Sequence, residues 1–407
     1  MQAPREYHSI ESEYPMNAFS RRSFIASAAT ATAAGRAIGA NDRVRLGLIG
    51  CGSRGNHLVR MAKAAGGAQF VAACDVWDQR ISEAEKTIEA PVQRHRDYRA
   101  LLDRKDIDAV IIATTDHHHS RVGVDACRAG KDMFIEKPMT SLPLQGHELV
   151  KAVKEERRVL QVGVQQRSIE PFLSAKAAFV DSGRLGKVHM VRTVWNANSG
   201  YLEKPPAGME TKPADLDWDA WLGWLPKIPW DPKRYFNRFS YWDISSGGQT
   251  GGLFVHMIDV VHWYLNVSKP LSVVAMGGIY QYDDGRDTPD NINLILNYAG
   301  GLNVTFEATI TDLLPNEAAD IVFYGEGGRL SIFRAGARFL PANRGPAEML
   351  KPGPEPPHMG NFLECVRSRK EPNANVVDGH YGAMACHISN IAYKEARRVD
   401  WDPRWDV

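Results

Sequence analysis

Residues 44–75 read VRLGLIGCGSRGNHLVRMAKAAGGAQFVAACD: a continuous apolar run, a glycine-rich turn, an amphipathic run, then a second apolar run ending on an acid. A parallel strand buried on both faces is a near-continuous apolar run, and residues 44–49 form one. Gly50, Gly52 and Gly55 follow in G-x-G-x-x-G spacing, with Ser53 and Arg54 between them. In that spacing one glycine makes the tight turn, one lets the backbone approach a pyrophosphate, and one lets the helix lie close on the strand. The helix that opens near Gly55 aims its unpaired N–H groups at the phosphates. Alone the motif is weak. A strand before it, a helix after it, and Asp75 about 20 residues beyond the last glycine make it a dinucleotide site. Asp75 is placed to accept hydrogen bonds from an adenosine ribose and to repel a 2′-phosphate, which favours NAD over NADP; Arg80 close by pulls the other way.

Strand and helix patterns alternate as far as Gln165: strands at 69–74, 109–113, 133–135 and 159–164, helices at 82–90, 97–102, 121–129 and 144–156. Alternation of this kind predicts a doubly wound parallel sheet, here a domain at 41–165, with ligands at the carboxyl ends of its strands. Two of those ends carry chemistry. Thr114-Thr115-Asp116-His117-His118-His119 follows one, and Glu136-Lys137-Pro138 follows another. The three adjacent histidines diverge in direction and have no partner pair at ligand spacing, so no metal site is expected.

Beyond Gln165 the period changes. Strands are predicted at 188–196, 272–279, 292–298 and 302–310; in the last, Leu302, Val304, Phe306, Ala308 and Ile310 alternate with polar residues. That alternation marks a sheet with two unlike faces. The 166–407 segment therefore reads as an α+β domain with a large, mostly antiparallel sheet, its open face closed by a second subunit in a homo-oligomer, dimer or tetramer. Residues 218–242 crowd nine aromatic rings among prolines. The segment is either a carbohydrate platform, with Trp230, Arg234, Tyr235 and Asp243 as substrate contacts, or an ordinary packed loop or subunit contact. After Gly251-Gly252, His256, Asp259 and His262 recur at helical spacing, two histidines flanking one carboxylate, a candidate acid–base group.

With 49 basic against 48 acidic residues in 407, nothing favours nucleic acid or an anionic membrane as partner. After the N-terminus no apolar run approaches the roughly 18 residues of a membrane span. Five scattered cysteines without a C-x-x-C pair read as buried thiols. Residues 1–40 look like an export signal: Ser20-Arg21-Arg22-Ser23-Phe24-Ile25 resembles the twin-arginine signature, and an alanine-rich apolar stretch follows. That route carries folded proteins, as a protein loaded with nucleotide before export requires, so a periplasmic protein with tightly held, recycled NAD is expected.

The chain resembles the Gfo/Idh/MocA family, the glucose-fructose oxidoreductase and inositol dehydrogenase group, from Arg43 to Arg398. The glycine loop, the Ala113–His119 segment (similar to A-T-P-N-x-x-H), Glu136-Lys137-Pro138 and the glycine-led stretch around His256 carry the resemblance. It implies a Rossmann domain followed by an α+β domain, Lys137 and His256 as catalytic pair, and Thr114, His119, Glu136 and Gln165 lining the nicotinamide pocket. The family commonly shows Asp four residues before the histidine. Here that position is Gly252, with Asp243 and Asp259 as candidate substitutes. The expected activity is NAD-dependent oxidation of a hydroxyl on a sugar, glycoside or cyclic polyol, histidine being the base because its pKa of about 6.5 suits neutral pH. The alternatives are a glycosidase or epimerase working by transient oxidation, and a non-catalytic sugar-binding protein.

Overall fold

A computed structural model describes residues 43–196, 201–311, 320–351 and 357–407; the expected export signal lies outside them. The first sheet contains β1 (Val44–Ile49), β2 (Ala68–Cys74), β3 (Gln93–His95), β4 (Ala109–Ile112), β5 (Asp132–Ile135) and β6 (Leu160–Val162). They lie in the order β3-β2-β1-β4-β5-β6, every neighbour parallel. The order reverses between β1 and β4, which opens a crevice at the carboxyl ends of the strands. Register fixes what stands there. Ile49 pairs with Cys74 and Ile112, and Ile112 with Ile135, so Gly50, Asp75, Ala113 and Glu136 leave the sheet side by side. All residues of β4 and β5 are buried, as strands covered on both faces require.

Part of that cover comes from far along the chain. The helix His358–Ser368 returns to the first sheet, and its Met359, Phe362 and Leu363 share a core with Leu46, Leu48 and Phe134.

The second sheet has nine strands: β7 (Val188–Val194), β8 (Ser272–Gly278), β9 (Asn291–Tyr298), β10 (Leu302–Thr309), β11 (Asp320–Gly325), β12 (Gly328–Phe333), β13 (Gly336–Pro341), β14 (Glu348–Leu350) and β15 (Val399–Asp400). Their order is β14-β13-β12-β11-β7-β10-β9-β8-β15. β7 and β10 run parallel; the other pairs are antiparallel. Leu302, Val304, Phe306 and Ala308 point into a core shared with the helices Val255–Leu265 and Val376–Glu395. The opposite face is open and mixed: Val274, Met276 and Ile295 are exposed at the β8–β9 edge, while an Arg192–Glu307 ion pair of 2.6 Å crosses β7 and β10.

Candidate active site

A cleft of ≈ 880 Å³ runs along the carboxyl ends of the first sheet and reaches into the second domain. Its glycine loop has the shape a dinucleotide needs. Gly50 has φ of +92°, where a side chain is strained, and a Cβ there would come within 2.5 Å of the Ala113 backbone. A Cβ on Gly55 would overlap the Gly50 carbonyl oxygen, so the helix Ser53–Ala65 lies against the turn only because that side chain is absent. Gly52 faces open space in the cleft. It caps this helix without a side-chain hydrogen bond, which leaves the first-turn N–H groups for a phosphate. The Asp75 carboxylate accepts from the Cys51 N–H at 2.8 Å and the Trp77 N–H at 3.0 Å; burial raises its pKa against those two amides. Arg80 is turned to Glu83 at 2.9 Å and lies over the Trp77 ring. These residues fit NAD.

Lys137 and His256 line the same cleft, close enough for the Lys137 charge to act on the imidazole. Lys137 follows β5, and its Nζ donates to the Gly252 carbonyl at 2.7 Å. That carbonyl is exposed to it by a single π-helical turn, Thr250–Phe254, just before the helix that carries His256. Such turns leave carbonyls outside the regular ladder and recur at functional sites. One of the three ammonium donors is thus used and two remain. Burial lowers the Lys137 pKa, with Asp116 and Glu136 opposing the shift. Burial, reinforced by Lys137, holds His256 well below the ordinary imidazole value. Its Nδ1 is buried without a hydrogen-bond partner among the described residues, and the Trp195 ring lies 5.9 Å away. Glu136 is held by Arg54 at 2.7 Å and by the Lys137 N–H at 3.2 Å, which locks the glycine loop to the end of β5. Thr114, His119 and Gln165 line the same cleft; the His119 ring sits between the Pro138 and Thr114 carbonyls, and Gln165 Oε1 is buried without a partner among the described residues.

Other expected site residues stand elsewhere. Asp259 is absent from the cleft wall. It forms a buried two-pronged ion pair with Arg167 at 2.9–3.0 Å, and burial still pushes its carboxyl up to about 6. Sharing a helix face with His256 did not make it a partner, because Arg167 satisfies it from a separate element. Asp243 pairs with Arg234, and neither lines the cleft. Neither Asp243 nor Asp259 therefore replaces an acid at position 252. A Cβ at Gly252 would itself overlap the Tyr201 hydroxyl, so that position is filled from another segment.

The aromatic segment is a packed strap, and its Trp221, Trp224, Tyr235, Phe236 and Phe239 line the cleft. Trp218 stacks on Trp221 at 4.6 Å and meets Trp230 edge-on, so these rings bury one another, and the Trp230 indole N–H is spent on the Met209 carbonyl. The strap ties across the crevice. Asp217 N–H donates to Val76 at 2.9 Å, Trp224 Nε1 donates to the His117 carbonyl at 2.7 Å, and the rings of His117 and His118 both reach the Trp221 carbonyl. Tyr235 lines the cleft, but beside Asp75 and Arg80 at its adenosine end. Phe239, one of the rings of the 218–242 segment, lines the cleft with Arg238 and stacks at 4.8 Å on Tyr201; sequence reasoning missed Tyr201 and Arg238. Nothing in their local sequence marks them.

Comparison with known proteins agrees with this geometry. Residues 44–164 match the family model described as "Oxidoreductase family, NAD-binding Rossmann fold", and residues 179–406 match "Oxidoreductase family, C-terminal alpha/beta domain". Inositol 2-dehydrogenase of Salmonella typhimurium is 30% identical over 183 residues, 44% of this chain and 54% of that protein. Inositol 2-dehydrogenase 2 of Saccharopolyspora erythraea is 32% identical over 187 residues, 44% of this chain and 53% of that protein. The chain thus spans about half the length of the curated relatives it matches. Among solved structures, levoglucosan dehydrogenase in complex with NADH and levoglucosan superposes with a TM-score of 0.71 at 19% identity, over 88% of this chain and 99% of that one. Aldose-aldose oxidoreductase from Caulobacter crescentus, complexed with glycerol, gives 0.69 at 18% identity, over 88% and 100%. At these identities the two structures share the fold.

Proposed function

The chain belongs to the Gfo/Idh/MocA oxidoreductase family, and from that premise we propose that it oxidises a hydroxyl of a sugar, glycoside or cyclic polyol, with Lys137 and His256 as the catalytic pair. The observation that carries the reading is that both line the cleft that the glycine loop and Asp75 also line, with the Lys137 charge acting on the His256 ring. When bound, NAD supplies the hydride acceptor; the protein orients and moves protons. His256, kept neutral by burial, takes the proton of the reacting hydroxyl as its carbon gives up hydride. Lys137, anchored on Gly252, points its remaining donors at the same oxygen and stabilises the negative charge that grows there. Inositol 2-dehydrogenase and levoglucosan dehydrogenase, both named for polyhydroxylated substrates, support carbohydrate as the substrate class.

The strap across the crevice supports a tightly held nucleotide, since Trp221, Trp224 and Tyr235 stand over the cleft. With the twin-arginine signature of residues 20–25, this makes export with NAD already in place, and work in the periplasm, the coherent reading. The apolar edge at Val274, Met276 and Ile295 is the part of the open sheet suited to a second subunit. The test is Lys137→Met. It should retain bound nucleotide while sugar-dependent reduction falls on the order of 10²–10³-fold or more. Undiminished turnover would remove Lys137 from the chemistry.

A further inference from the structure

Resting on that reading, we propose that Asp116 is a third catalytic side chain, a carboxylate that accepts a hydrogen bond from the substrate hydroxyl adjacent to the carbon being oxidised. Asp116 opens the helix Asp116–Arg128 at the end of β4 and lines the cleft with Lys137 and His256. It is 6% exposed, and its Oδ2 is buried with no hydrogen-bond partner among the described residues. Buried carboxylate oxygens are normally satisfied. One that is not, in the wall of a cleft, is kept for something that arrives.

The surrounding acids leave it this role. Glu136 is held by Arg54 and the Lys137 amide, Asp259 by Arg167, and Asp75 by two amides at the far end of the cleft. Of the two acids that face Lys137, Asp116 is the one with an uncommitted oxygen. No side chain at Gly252 can supply a carboxylate, because the Tyr201 hydroxyl occupies the space a Cβ would need. Burial raises the Asp116 pKa; the charges of His119, Lys137 and Arg238 and the Ser246 hydroxyl beside it, which has no other partner among the described residues, oppose that shift. The helix N-terminus also favours a charge there.

The chemistry follows from the substrate class. A pyranose or cyclitol presents a second hydroxyl next to the one oxidised. A carboxylate that accepts from it fixes the ring about the axis left free by the Lys137 contact, and no bond to Asp116 forms or breaks. The site then selects vicinal diols. A site built to bond a hydroxyl rejects the analogue that lacks it strongly, because its own polar group is left buried and unpaired.

The experiment compares wild type and Asp116→Asn, both as holoprotein with nucleotide content checked, on a sugar and on its analogue deoxygenated next to the reacting carbon. Wild type should prefer the diol on the order of 10²-fold or more in kcat/KM; Asp116→Asn should lose most of that preference, its rate on the diol falling towards the deoxy rate. A second readout separates contact from architecture. Lys137 is faced by Asp116, Glu136, Arg54 and Arg238, and His256 by Lys137, Arg334, Arg54 and His358. Loss of the Asp116 charge therefore moves the alkaline limb of the rate profile to lower pH, by about one unit. Full diol preference and an unmoved limb in Asp116→Asn overturn the proposal. If that variant loses its nucleotide, the wild-type comparison still decides, since equal kcat/KM for the two sugars overturns it. A wild type that reduces its nucleotide with no sugar overturns instead the reading on which the proposal rests.

Discussion

Burial lowers the pKa of both His256 and Lys137, which suits the histidine as a base, while Asp116 and Glu136 oppose the shift at the lysine. Burial holds the imidazole well below its ordinary pKa of about 6.5, so it is neutral, and able to take a proton, through neutral and mildly acidic pH. The acid limb of kcat/KM therefore falls well below about 6.5, since the base is lost only on protonation; an acid limb at that ordinary value, absent from His256→Asn, would contradict the assignment. The glycine loop, Asp75, Glu136-Lys137 and His256 were legible in the sequence because each stands at a strand end or helix start that periodicity locates. Asp259 was misread because spacing along a helix reports a shared face but not the partner, and Arg167 lies 92 residues away. Asp116 was hidden by the histidines after it. Arg238 reaches the cleft, and Tyr201 the space beside Gly252, only through tertiary packing.

At the scale of elements, the first sheet was readable almost strand by strand, since buried parallel strands are short, strong apolar runs. The helix Asp116–Arg128 begins five residues earlier than the pattern at 121–129 suggested. Its first turn is polar yet buried, covered by the strap that His117 and His118 hold. Strands β11–β14 were not anticipated: each has six residues or fewer, and Gly327-Gly328 and Gly336 interrupt the alternation. Arg167 shows how elements are joined. It bonds Asp259 on one helix and Asp378 on another, the latter at 3.0 Å. Breaking a buried pair leaves the partner charge unsatisfied. Arg167→Met is expected to cost about 3–5 kcal/mol in denaturant unfolding, with much of it recovered by Arg167→Met/Asp259→Leu; a single variant as stable as wild type would show the pair to be dispensable.

Across the whole described chain, the nucleotide-binding half and the sheet half are laced together in both directions. The strap runs from the second domain onto Val76 and His117, and the helix His358–Ser368 packs back under β1. This arrangement was not legible from composition, because an aromatic cluster reads equally as platform or packing until its partners are known. Laced in this way, the cleft should release nucleotide slowly, and a redox-neutral cycle on carbohydrate becomes workable. The direct test is to mix protein purified without added nucleotide with aldoses and inositols and to follow reduced nicotinamide. At least one sugar is expected to produce reduced cofactor, stoichiometric with the chain, from nucleotide already bound. A protein whose bound nucleotide no sugar reduces, or that neither carries nor binds NAD, is not a carbohydrate oxidoreductase with resident cofactor.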